Sequence, residues 1–113
     1  MHELVIVEGI LDVVVPEARK HGAKKILAVR LKIGELSGVI PECVREYFTI
    51  AARGTMAEGA KVLIEPLPIR IRCLDCGAEK EIRRGMDTCP VCGSRQFRII
   101  SGREYYIESV EAE

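Results

Sequence analysis

The chain has 113 residues, enough for one ordinary domain or a small domain with an appended module. Hydrophobic residues make up 48% of it, so it can bury a core and is not a disordered chain. Lys+Arg and Asp+Glu are 17 each, and this zero balance argues against a general nucleic-acid or membrane-surface binder, which needs a basic excess.

The first segment, residues 4–21, places Leu4, Val7, Leu11, Val14 and Ala18 at helical spacing. Gly9 and Pro16 weaken a helix, but Lys20, His21 and Gly22 form a C-terminal stop. His21 is expected to partner the helix dipole there. Glu3, Glu8 and Asp12 interrupt the apolar start, which also lacks the basic region of a signal peptide. No apolar run approaches the ~18 residues of a membrane span, so a cytoplasmic protein is expected.

Residues 25–34 alternate, with Leu27, Val29, Leu31 and Ile33 on one side and Ala28, Arg30 and Lys32 on the other, as in a half-buried strand. "GELSG" turns the chain. Pro41 opens a second helix running to about Arg53, with Val44, Phe48 and Ala51 on one face and Gly54 at its end. Tyr47 and Phe48 are core candidates, and Met56 belongs to the core or to a loop. Cys43 is expected to be a small buried hydrophobe or an inert thiol, with an intermolecular disulfide as the alternative. A strand over 60–65 turns Val62 and Ile64 inward. Pro66 and Pro68 stop it or place it at a sheet edge.

"IRIRC" and "FRII" are short strands flanking four cysteines, "SG" at 101–102 is a turn, and "EYYIESVEAE" is a closing strand. The expected fold class is α+β: a small mixed sheet with two helices, plus an inserted ribbon. The body covers 1–68 and is completed by a strand at 102–113, while the ribbon covers 69–101. The ribbon's exit from the body also offers a place for a domain-swapped homodimer to form.

The cysteines stand as "CLDCG" and "CPVCG", with twelve residues between the inner pair. Each C-x-x-C-G is a tight turn that aims two sulfurs at one point, and its Gly supplies the positive φ the turn needs. Two such knuckles give a tetrahedral S₄ site from Cys73, Cys76, Cys89 and Cys92. That site suits Zn²⁺, with a rubredoxin-like iron centre as the alternative. It has no open position and no acid–base neighbour, so it is structural rather than catalytic. Residues 73–100 hold five cations against four carboxylates, with Phe97 the one aromatic, which is poor equipment for binding single strands.

The start, "MHE", supplies a second constellation. The Met1 α-amine, the deprotonated His2 amide and the His2 Nδ1 close a five- and a six-membered ring around one ion. The Glu3 amide, the Glu3 carboxylate or a side chain from elsewhere completes the plane. Tetragonal N/O coordination suits Ni²⁺ or Cu²⁺. Bulky His2 should hinder removal of the initiator Met, which keeps the amine in place.

"MHE", "KHGAKKI" at 20–26, the V-x-L-x-I-G-E-L-S-G run from Val29 to Gly38, "RGTMAEGA" at 53–60, the paired knuckles and "SG-x-E" all resemble the hydrogenase-maturation nickel metallochaperones of the HypA/HybF family. The likeness covers essentially the full chain in order. It implies a cytoplasmic protein that binds Ni²⁺ through Met1, His2 and Glu3 and keeps a structural Zn²⁺ on Cys73, Cys76, Cys89 and Cys92. It also implies delivery of nickel to the large subunit of [NiFe]-hydrogenase beside the nickel-binding GTPase HypB. Some relatives add an acidic ligand in the segment after "ELSG"; here that segment is "VIPEC", with Ile40 in place and Glu42 the one nearby acid. No His stands beside the knuckles, so a fixed S₄ site is expected. No nucleophile–base pair, phosphate loop or paired acid set is present, and no enzyme activity is expected. A zinc-ribbon adaptor with an incidental "MHE" and a rubredoxin-like electron carrier are the competing readings.

Overall fold

The computed structural model describes residues 3–113, so Met1 and His2, two of the three candidate terminal ligands, lie outside the described residues. The elements are α1 (Glu3–Lys20), β1 (Ile26–Gly34), α2 (Pro41–Ala51), β2 (Lys61–Leu67), β3 (Ile69–Cys73), β4 (Glu79–Ile82), β5 (Phe97–Ser101) and β6 (Tyr105–Ala112). They form two three-stranded sheets, ordered β2-β1-β6 and β4-β3-β5. The fold class is α+β, as the residue patterning implies. Two compact units result: the chain through Lys32 with Val39–Glu65 and Tyr106–Glu113, and Ile33–Gly38 with Pro66–Tyr105.

In the first unit α1 packs against α2. The buried stripe of α1 is Val7, Ile10, Val14 and Ala18, while Leu4 is exposed. The expected stripe had Leu4 and Leu11 in place of Ile10. The observed 3-4-4 spacing is the one that keeps a single face on a 3.6-residue period. Pro16 is accommodated inside the helix. It and Asp12, whose carbonyl loses its partner, are both exposed, so water can take that acceptor. The helix ends in a Schellman closure: Ala23 N–H donates to the Ala18 carbonyl and Gly22 N–H to that of Arg19, with Gly22 at φ +76°.

β1 is the central strand of its sheet, and its burial exceeds simple alternation: Ile26 and Ala28 are buried along with Val29, Leu31 and Ile33. Paired on each side, it has no open edge. β6 returns beside its start, where Glu113 exchanges backbone hydrogen bonds with Lys25 and accepts a further one from Lys24. β2 keeps Pro66 and is an edge strand, where a missing N–H costs no ladder bond. α2 ends at Ala51 rather than about Arg53: Ala52 N–H still makes the helical bond to Phe48, but Arg53 N–H closes onto Ile50, three residues back, and the chain turns. Phe48 is 2% exposed and Tyr47 39%, so Tyr47 is not a core residue; adjacent helical positions point about 100° apart. Met56 is half-buried in a turn, and its carbonyl accepts the Ile26 N–H.

In the second unit β3 pairs antiparallel with β4 and with β5. Ile69, Ile71 and Cys73 face its core, joined by Ile82 and Cys89. The unheralded strand is β4, "EKEI", whose side chains are mostly exposed. Cross-strand chemistry supports it: Arg72 Nε and Nη2 donate to the carboxylate of Glu79, its register partner, at 3.0 and 2.8 Å. Residues 33–38 join this unit through backbone bonds from Gly34 to Glu104, Glu35 to Leu67 and Leu36 to Gly102.

Candidate metal centre

Both knuckles are built to one plan. In the first, Cys73 N–H donates to the Ala78 carbonyl and Gly77 N–H to the Cys73 carbonyl, at 2.9 and 3.0 Å. In the second, Cys89 N–H donates to Ser94 and Gly93 N–H to Cys89, at 2.7 and 2.8 Å. Gly77 and Gly93 sit at φ +75° and +76°, which a side chain would strain. Each turn also lends an N–H to its first sulfur: Cys76 N–H to Cys73 Sγ and Val91 N–H to Cys89 Sγ, both at 3.4 Å. The Ser94 hydroxyl donates to the Asp75 carboxylate, and Leu74 N–H to the Gln96 carbonyl, tying one knuckle to the other.

This brings the four sulfurs together within 4.8 Å of one another. Cys73 Sγ lies 3.5 Å from Cys92 Sγ, and Cys76 Sγ 3.7 Å from Cys89 Sγ. A tetrahedron with metal–sulfur bonds of about 2.3 Å has edges of about 3.8 Å, so the donor set fits a tetrahedral thiophilic ion. Each knuckle gives one buried cysteine and one exposed: Cys73 and Cys89 inside, Cys76 and Cys92 outside.

The titration pattern has the same origin. The Cys76 N–H lowers the Cys73 thiol to about 6. The N–H groups of Cys92 and Val91 lower that of Cys89. At Cys92 the Ser94 N–H favours the thiolate, but the Cys73 sulfur and burial outweigh it and push the thiol up to about 12. At Cys76 the Ala78 N–H is likewise outweighed by burial and by the Cys73 sulfur. Four thiolates cannot ionise side by side without a cation among them.

Of the terminal constellation only Glu3 is described. It is 7% exposed, and its Oε2 accepts a hydrogen bond from the Ile40 N–H at 3.4 Å. Ile40 thus comes to the terminal region by its backbone. Glu42, the acid of that segment, is exposed in the first turn of α2. This pairing spans 37 residues, and no local sequence signal announces it. His21 is exposed after α1 and pairs with Glu17, Nε2 to Oε1, at 3.1 Å. Cys43 is a half-buried free thiol.

The family model described as hydrogenase/urease nickel incorporation, metallochaperone, hypA, matches residues 1–112. Curated relatives include the hydrogenase maturation factors HypA of Moorella thermoacetica, 44% identical over 113 residues, and of Acidithiobacillus ferrooxidans, 40% identical over 113 residues. In both the alignment covers 100% of each chain. Among solved structures, the solution structure of the Ni metallochaperone HypA from Helicobacter pylori is similar at TM-score 0.67 and 24% identity, over 99% of this chain and 97% of that one. A second HypA solution structure is similar at TM-score 0.76 and 24% identity, over 100% and 97%. These two likenesses concern the fold.

Proposed function

Because the chain belongs to the HypA family of nickel-incorporation metallochaperones, a family of chaperones and not of enzymes, we propose that it carries Ni²⁺ as cargo at its amino terminus. Met1, His2 and Glu3 supply the ligands. The ion is handed to the large subunit of a [NiFe]-hydrogenase in the cytoplasm, beside the GTPase HypB. The observation that carries this reading is the family match that starts at residue 1 and takes in "MHE" and both knuckles in one frame. Hydrogenase is taken as the client because the curated relatives are hydrogenase maturation factors.

The chemistry supports the division of labour. Amine, amide and imidazole nitrogens favour a tetragonal Ni²⁺ that can be released one ligand at a time. Cys73, Cys76, Cys89 and Cys92 would hold a resident Zn²⁺, since their spacing suits a closed tetrahedron with no exchangeable position. Zinc bound there supplies cross-linking of the two knuckles and no reactivity. Among the described residues, no helix is long and apolar enough to cross a membrane.

The test is calorimetric titration of nickel into tag-free protein with a native amino terminus, beside the same chain extended by Gly-Ser and the His2→Ala variant. One tight site is expected in the native chain and in neither of the others, with zinc content unchanged in all three. Binding should weaken as pH falls through the amine and imidazole titrations near ~7.8 and ~6.5. Equal affinity of native and extended chains would overturn the terminal site.

A further inference from the structure

The first turn of α2 lacks both usual local fastenings. Ile40 stands at the N-cap with no side-chain oxygen, and Cys43 occupies the position where a capping box has Glu or Gln. Pro41, next in line, has no N–H to satisfy. The N–H that a capping-box acid would accept belongs to Ile40, and here Glu3 of α1 accepts it.

Glu3 is the one buried charged residue among those described. A carboxylate loses much on leaving water unless hydrogen bonds and positive potential replace its hydration. The amino end of α2 provides both, through the Ile40 N–H and the helix dipole. An ion passed to a partner needs ligands that solvent and the partner can reach. Glu3 as a residue is 7% exposed, and its carboxylate reaches instead to the Ile40 N–H at the start of α2.

Resting on the proposed amino-terminal site, we infer that Glu3 is a positioning residue for nickel: its carboxylate belongs to the Ile40 N–H and not to the metal. It fixes the first turn of α1 against α2 and so holds the Glu3 main chain, the described end of the proposed ligand set, in place. Glu3 then enters the ligand set only through its main-chain nitrogen. The segment after "ELSG" contributes a hydrogen-bond donor rather than a ligand, in keeping with Ile at position 40.

The experiment compares Glu3→Gln and Glu3→Ala in the full-length, zinc-loaded chain with a native amino terminus. It reads nickel affinity, the ligand-field absorption of the nickel complex and thermal unfolding. Glu3→Gln keeps an acceptor oxygen and should retain wild-type affinity and spectrum. Glu3→Ala should weaken nickel binding by about tenfold, the scale of lost outer-shell support, without moving the absorption band. If Glu3→Gln loses as much affinity as Glu3→Ala and the band moves, the carboxylate is a ligand and the inference is wrong. If Glu3→Ala lowers the unfolding temperature but leaves affinity untouched, Glu3 only fastens helices, and the inference is equally wrong. A failure of the terminal site itself shows earlier and separately, as equal binding by the native and Gly-Ser-extended wild-type chains.

Discussion

Two glycines in helical and strand settings carry opposite meanings. Gly34 ends β1, and a Cβ there would run into the Gly102 carbonyl and come within 2.7 Å of the Glu104 carbonyl oxygen. Those obstacles are backbone, held by the Gly34-to-Glu104 and Leu36-to-Gly102 hydrogen bonds, so they cannot swing aside as a side chain does. Gly34→Ala should therefore cost about 3 kcal/mol, at the upper end of ordinary overpacking. Gly9 lies in the middle of α1 with open space where its Cβ would stand. Gly9→Ala should add about 1 kcal/mol by raising helix propensity and restricting the unfolded chain. Thermal unfolding followed by circular dichroism should move down for the first and up for the second. A neutral Gly34→Ala would mean that the close approach of the Gly102–Glu104 turn to the end of β1 is not required. The sequence alone did not separate the two positions. One glycine faces solvent and the other the turn between β5 and β6, more than sixty residues onward.

At the level of elements, strands were legible where one face was apolar and obscure where pairing alone made them. β3 alternates cleanly and was readable. β4 is held by backbone pairing and the Arg72–Glu79 contact, neither of which leaves a hydrophobic period. α1 was legible despite its β-branched residues because its stop signal was strong, but its buried stripe runs through Ile10 rather than Leu11 and leaves Leu4 exposed. The sheet of the first unit has an electrostatic element of its own. Lys32 on central β1 reaches Glu65 of β2 at 3.0 Å and Glu108 of β6 at 3.4 Å. The hydrogen bond to Glu65 leads in raising the Lys32 pKa above its ordinary 10.5, against some desolvation and with help from Glu108. A raised amine pKa means the fold prefers the protonated form. Its contribution is complete below the unfolded-state value near ~10.4 and fades as pH climbs through the higher native value. The stability gap between wild type and Lys32→Met should stay constant from neutral pH to about 10 and narrow beyond it. Urea unfolding at pH 7 and at strongly alkaline pH measures this, and a gap that widens with pH would contradict the assigned pairing.

Across the whole molecule the two units differ in what holds them. The first has a conventional core: Val7, Ile10, Val14, Ile26, Val29, Leu31, Val44 and Phe48 are all buried, and none offers a metal ligand. The second buries Ile69, Ile71, Ile82 and two of the four cysteines, so part of its core is the proposed metal site. The cysteine positions were readable because the knuckle spacing is local and repeated. The Glu3–Ile40 bond was not, because tertiary packing alone creates it. A unit as short as the second draws only about 3–5 kcal/mol from apolar burial, against about 10–16 kcal/mol for a structural zinc site in small peptides. Without the ion, Cys92 and Cys76 are further disfavoured as thiolates by their neighbours. Chelation should therefore dissolve the second unit first. Hydrogen exchange after metal removal should show the amides of β3, β4 and β5 losing protection while those of α1, α2 and β1 keep theirs. Readdition of Zn²⁺ should restore the pattern. Protection retained in β3 to β5 after complete metal loss would mean that their apolar residues suffice, and the four-sulfur centre would have to be assigned a role other than structural.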